Sequence, residues 1–423
     1  MKEFNNKLSL VFQDKILRGR ILFTLFALVI FRVLASIPIP NVDELRLTQF
    51  FSQNDFLGLL NVFSGGGLSQ LSIVMLGVGP YITGSIIMQL LTILSPKLKE
   101  MYQEDGESGR RKFAQYSRLV TVPLAVLQSF SFIKILQSQQ ILPYLSPFSV
   151  TVDILVITAG SVLLMWLGEL ITEYGIGNGI SLIIFSGIVA AIPTEAGQLF
   201  FAFEASQIPV YLAFAVIAIL VIVAVVIITE AERPIPITYA KQVRGNRVYG
   251  GTSTYLPLRI NQAGVIPIIF ALSILLFPQM ILRFIQNSTN EILSSISGTI
   301  LTILNNQWFY GIMYFLLVFV FTYFYTAVTF DPDKISENLQ KNGAFIPGVR
   351  PGKSTSDHIS RILTRLTLFG AVFLGLIAVL PLIMRGFTGI TAVSVGGTAL
   401  LIVVSVVIDL VKKVDAQVSI REY

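Results

Sequence analysis

From Phe56 to Pro96 the chain runs for 41 residues without one Asp, Glu, Lys or Arg. A stretch that apolar belongs in a bilayer, or in a protein-lined space within one. Its length fits neither simple arrangement. At ~1.5 Å per residue it is too long for one crossing of a ~30 Å hydrocarbon core and slightly short for two with a turn. It also carries Gly65, Gly66 and Gly67 in a row, then Gly77, Gly79, Pro80 and Gly84, residues that weaken a continuous helix. The run therefore divides. Residues 56–70 read as a short segment folded back into the membrane, and 71–95 as a spanning helix in which the glycines permit close approach and Pro80 introduces a bend. Irregular backbone at that depth is tolerated only inside a protein-lined cavity.

The rest of the chain has the same character. Only 13% of its 423 residues are charged, against roughly 25% in soluble domains. Ten apolar runs are long enough to cross: 21–40, 71–95, 117–137, 150–171, 179–194, 209–229, 262–282, 308–329, 361–383 and 392–411. The fifth is short and ends at Pro193. The periods are helical, so the expectation is an all-α polytopic membrane protein rather than a barrel. The N-terminal stretch "MKEFNNKLSLVFQDKILRGR" is an amphipathic, mixed-charge segment without a cleavable signal pattern. Cysteine is absent and His358 is the one histidine, which excludes disulfides, thiolate catalysis and multi-His metal sites; that histidine falls in a loop, so an intramembrane Ser–His hydrolase is poorly supported.

Basic residues orient the spans. With the N-terminus inside, 25 of the 30 Lys and Arg fall in the N-terminal tail, the 96–118, 230–260 and 330–365 segments and the C-terminal tail. The remaining five are Arg32, Arg46, Lys134, Arg283 and Arg385. The positive-inside rule then puts both termini in the cytosol. The two large cytosolic loops are too short for catalytic domains. Residues 230–260 alternate polar and β-prone side chains around Gly245-Asn246, the pattern of a projecting hairpin. Residues 330–360 start as a short amphipathic helix capped by Asp331 and become a Gly/Pro-rich loop. Basic loops of this kind suit docking of a large acidic partner such as ribosomal RNA or an acidic protein face.

Two stretches mimic nucleotide motifs. "GVRPGKST" (348–355) has one residue too few between Gly348 and Gly352-Lys353 for a phosphate loop, and no buried strand precedes it. It reads as a turn exposing Arg350 and Lys353. "GIGNGIS" (175–181) follows a membrane helix instead of a strand and reads as a tight turn. Glu169 and Glu173 share one helix face at i and i+4, near water at the inner end of span 4. Arg32 lies about two-thirds of the way through span 1 and has to snorkel, pair or line a wet cavity. Val78 and Ile82, and again Ile184 and Ile188, form same-face aliphatic pairs on spans 2 and 5. They serve either as ordinary packing or lipid contact, or as part of a hydrophobic constriction that blocks ions by dewetting.

The stretches "FRVLASIPIP", "NVFSGGGLSQLSIVMLGVGPYITGSIIMQLL", "EDGESGRRKFAQYSR", "WLGELITEYGIGNGISLIIFSGIVAAIP", "LPLRINQAGVIPIIFA" and "GVRPGKST" together resemble the SecY family, the bacterial protein-conducting channel. The matches run in order over essentially the whole chain. The resemblance implies ten helices in two pseudo-symmetric five-helix halves around a central pore, 21–194 and 195–411. Residues 1–20 precede them and a cytosolic tail, 412–423, follows. It implies a constriction ring at Val78, Ile82, Ile184, Ile188, Ile269 and Ile402, with valine where the family usually has isoleucine at position 78. It also implies a re-entrant plug at about 56–70, with Phe63, Ser64, Gly65, Gly66, Gly67 and Leu68 in it and Phe63 and Leu68 its apolar contacts under the ring.

A lateral gate between spans 2 and 7, flanked by 3 and 8, falls on Thr83, Gln128 and Asn261, with hydrogen bonds among them holding it shut. Arg350 matches the family's arginine for transport by the SecA motor ATPase. Arg244 and Arg247 are candidates for general electrostatic docking. SecE, SecG, SecA and the ribosome with its nascent chain and RNA are the partners implied, with signal peptides, unfolded polypeptides and membrane lipids. No cofactor or metal is implied, and ATP hydrolysis belongs to the motor. The function implied is a passive pore of the bacterial cytoplasmic membrane that conducts unfolded secretory proteins and releases transmembrane segments sideways. The competing reading is a secondary transporter of small solutes, which would need a polar midplane site with ionisable ligands.

Overall fold

The computed structural model describes residues 14–40, 61, 64–68, 70–138, 140–143, 146–201, 208–240, 242–244, 247–249, 253–286, 291–304, 306–388 and 396–419. Helix α1 (Lys15–Ala35) begins where the Asp14 carboxylate accepts a hydrogen bond from the Ile16 N–H at 2.9 Å, so 15–20 belong to the span helix. Helix α2 (Gly79–Leu94) starts eight residues later than expected. Residues 71–78 instead form turns tied to the chain after α1: Ile39 N–H donates to Leu71 O, Ile73 N–H donates to Ile37 O, and Pro38 bridges Ser72. Pro80 opens the helix rather than bending it, where its missing N–H costs nothing. Among the described residues a Cβ on Gly79 would meet nothing within 4 Å, whereas one on Gly84 would lie 3.1 Å from the Thr121 hydroxyl, so the close approach is made by Gly84 of these two.

The short helix α3 (Pro96–Gln103) leads into α4 (Gly106–Ser138). Helices α5 (Pro147–Tyr174) and α6 (Gly179–Phe201) follow, and α6 runs through Pro193 instead of stopping there. The turn between them is the "GIGN" stretch: the Asn178 side chain accepts from the N–H groups of Ile180 and Ser181, capping α6. Helix α7 (Ile208–Glu230) is apolar all round. Its Leu212, Ile219 and Leu220 are each more than 60% exposed, a surface stable only against lipid or another apolar chain.

The 230–260 loop is a hairpin, as expected. Strands β1 (Glu232–Tyr239) and β4 (Ser253–Arg259) pair antiparallel, with β2 (Gln242–Arg244) and β3 (Arg247–Tyr249) at the tip. The C-terminal half then adds α8 (Ile266–Gln286), α9 (Glu291–Leu304) and α10 (Gln307–Thr329). Helix α9 escapes a search for ~20-residue runs because it has 14 residues. Helix α11 (Pro332–Lys341) is capped by Asp331, whose carboxylate accepts from the N–H groups of Asp333 and Lys334. Strand β5 (Ala344–Phe345), α12 (Lys353–Thr388) and α13 (Gly396–Ser419) complete the described chain.

Strand β5 pairs with β1, so the two large loops share one three-stranded sheet, β4-β1-β5, over a small core of Ile235, Leu258, Ile346 and Ile359. Other contacts gather at this end: the Lys412–Glu230 ion pair at 2.8 Å joins α13 to α7, and Leu17, Ile176 and Val418 pack together. A separate apolar cluster of Ile39, Leu68, Leu71, Phe132, Leu136 and Ile141 contains residues from the opposite ends of the spans. Between them lies one large cluster fed by α1, α2, α5 to α8, α10, α12 and α13.

Candidate functional site

Val78, Ile82, Ile184, Ile188, Ile269 and Ile402 all belong to that central cluster, and none is more than 8% exposed. Val78 is the N-cap residue of α2 and Ile82 sits in its first turn. Ile184 and Ile188 come from α6, Ile269 from the start of α8 and Ile402 from α13. Four elements from both halves of the chain therefore bring branched aliphatic groups to one region. Such groups offer no hydrogen bond to a passing chain and make water, and hence ions, costly to admit.

Beside this cluster sits the glycine turn. Ser64 organises it: its hydroxyl donates to Asn61 O at 3.0 Å and accepts from Leu68 N–H at 3.0 Å, while Gly66 N–H donates to Asn61 O. Gly65 and Gly66 have φ of 66° and 85°, the left-handed region that glycine enters without strain. The backbone of Gly65 lies directly against Gly187 of α6, and a Cβ on Gly65 would collide with the ring of Phe31. Phe63 lies outside the described residues. Leu68 is not a contact of the aliphatic six. The turn directs Gly65 toward α1 and α6 and carries Leu68 into the cluster of Leu71, Phe132 and Leu136.

The turn also supplies the partner of Arg32. Its guanidinium Nη1 donates to Gly65 O at 2.8 Å, and the cation lies 5.8 Å from the Phe31 ring centre. Sequence reasoning identified Arg32 as needing a partner and could not name it, because donor and acceptor are 33 residues apart. Glu169 is likewise explained: it accepts from Arg118 Nε at 2.6 Å, joining α5 to α4, while Glu173 is exposed.

Helices α2, α4 and α8 pack on one another, and Thr83, Gln128 and Asn261 are all buried near that seam. No hydrogen bond joins the three. Thr83 donates back to Gly79 O of its own helix at 3.0 Å, and Asn261 Oδ1 is buried with no partner among the described residues. The expected bonds fail because a threonine inside a helix finds the carbonyl four residues back before any neighbour, and Asn261 stands in the irregular link before α8. At the loop end Arg350 and Lys353 are exposed, on a turn held by Thr355 donating to Arg350 O and Ser336 donating to Gly352 O. The register sets Arg244 opposite Arg247 at the hairpin tip, and 245–246 lie outside the described residues.

The SecY family model matches residues 72–411. The chain belongs to the SecY family. The protein translocase subunit SecY of Mycobacterium tuberculosis (strain ATCC 25618 / H37Rv) is 42% identical over 428 aligned residues, 96% of each chain. That of Thermotoga maritima is 41% identical, covering 96% of this chain and 94% of the relative. Among solved structures, a protein conducting channel aligns with a TM-score of 0.66 at 19% identity, over 96% of this chain and 93% of its own. Sec61 in a canine ribosome–channel complex from the endoplasmic reticulum aligns at 0.63 and 18% identity, over 96% and 93%. At these identities the solved structures carry the fold alone. In this SecY-family fold the ten crossings are α1, α2, α4 to α8, α10, α12 and α13, an all-helical multi-pass membrane architecture. The family is one of protein-conducting channels.

Proposed function

We propose that this chain is the channel subunit of a bacterial Sec translocase. It conducts unfolded secretory polypeptides across the cytoplasmic membrane and releases transmembrane segments sideways between α2 and α8. The observation that carries this reading is the burial of six branched aliphatic side chains, from four elements, in one cluster beside the seated glycine turn. Val78, Ile82, Ile184, Ile188, Ile269 and Ile402 form the constriction, and the segment 56–70 is the plug. Thr83, Gln128 and Asn261 line the gate as buried polar groups that an arriving signal helix meets. The unsatisfied Asn261 carbonyl supports this, since a buried acceptor gains by finding a donor.

Both termini and the sheet-bearing loops face the cytosol. Arg350 takes part in docking the SecA motor, and Arg244 and Arg247 meet acidic partner surfaces, the translating ribosome among them. SecE and SecG are the constant partners. The halves 21–194 and 195–411 clamp the pore between them, with the boundary at 194–195 falling inside α6, which continues to Phe201.

The test is translocation and conductance in proteoliposomes holding the chain with its co-purified small subunits. A motor-driven secretory polypeptide should become protease-protected inside. With Ile82 and Ile402 both changed to Asn, the resting channel should pass small ions that the parent holds back. Unchanged conductance removes the ring assignment; no transport by the parent removes the function.

A further inference from the structure

Resting on the plug reading above, we propose that Arg32 is the latch that keeps the plug seated. The carbonyls around Gly65 are already used within the turn or beside it: Asn61 O, Ser64 O, Gly67 O and Leu68 O each accept a backbone N–H. Among the described residues Gly65 O accepts from Arg32 Nη1 and from no backbone N–H. A carbonyl in water-poor surroundings needs a donor, and a guanidinium in a membrane helix needs acceptors. Each group therefore holds the other in place as long as the turn is in position.

The geometry makes this bond releasable. Arg32 reaches across from α1, while the bonds of the Ser64 hydroxyl, to Asn61 O and from Leu68 N–H, lie within the turn and can leave with it. Phe31, the preceding residue, is fully buried and closes on Gly65, so α1 contributes both a wall and a donor to the same glycine. When the turn moves away, Gly65 O meets water and Arg32 is left facing the passage. Seating therefore includes one charge-assisted hydrogen bond beside the packing of Gly65 on Gly187 and Phe31, and removing that bond shifts the equilibrium on the order of tenfold or more.

The chain has no cysteine, so Ser64→Cys places a single thiol on the turn at a position 2% exposed when seated; the thiol weakens the turn's own bonds equally in both arms, so the difference between the arms is what reports plug position. The experiment measures maleimide labelling of Ser64→Cys in proteoliposomes of the whole complex, with and without Arg32→Met, alongside ion conductance and polypeptide transport. The labelling rate and resting conductance should both rise about tenfold or more in the Arg32→Met background. A labelling rate equal to that of the Arg32 parent, with transport intact, overturns the latch and leaves the channel function standing. Loss of transport in the parent vesicles would instead overturn the function. If Arg32→Met does not accumulate, Arg32→Gln, a neutral donor of shorter reach, carries the same comparison: faster labelling supports the latch and an unchanged rate removes it.

Discussion

Gly187→Ala isolates the contact between α6 and the glycine turn. A Cβ at position 187 would stand 2.6 Å from Gly65 O and still nearer its Cα and carbonyl carbon. These are backbone atoms, so no rotamer change relieves the collision. Either α6 shifts, disturbing Ile184 and Ile188 in the central cluster, or the turn leaves. Overpacking of this kind costs ~1–3 kcal/mol, which moves the seated–unseated equilibrium constant by roughly 5- to 150-fold. The substitution itself favours the helix by ~1 kcal/mol, because alanine replaces glycine in its interior. Where the turn leaves, that gain stands and thermal stability does not fall while the seal does. The assay is resting ion conductance in planar bilayers. Gly197→Ala on the same helix would meet nothing within 4 Å among the described residues and should conduct like the parent. A silent Gly187→Ala channel would refute the seating of Gly65 against α6.

Two further expectations concern the loop end. Arg350→Glu should cripple motor-driven secretion while ribosome-driven membrane insertion suffers less; in vitro transport and insertion assays run side by side separate the two, and equal loss points to misfolding. Ser356→Ala removes a hydroxyl that donates to the Asp333 carboxylate at 2.5 Å. The docking of α11 on α12 should weaken by ~1.5–3 kcal/mol, seen as faster limited proteolysis of 330–352, whereas Ser354→Ala at an exposed position should change nothing.

Much of this architecture was legible from runs and caps. The spans, the hairpin, the Asp331 cap and the Asn178 turn all follow from a few consecutive residues. The late start of α2 did not, because 71–78 look helical alone and are held in turns by hydrogen bonds to residues 37–39. Strand β5 is two residues long and acquires meaning only beside β1. The aliphatic residues of the candidate constriction were identifiable as types, but Val78 and Ile402 lie more than 300 positions apart and nothing local joins them.

By itself the sequence determined that the chain is a multi-span membrane protein and how its basic loops are distributed. A bilayer acts on each segment through its own length and hydropathy, independently of its neighbours. Only the tertiary structure decided which carbonyl satisfies Arg32, that Gly65 rests on Gly187, and that the two large loops form one sheet. Those facts depend on remote backbones coming within a few ångströms. Hydrogen bonds and close packing at that range are set by the whole fold, and no local pattern encodes them.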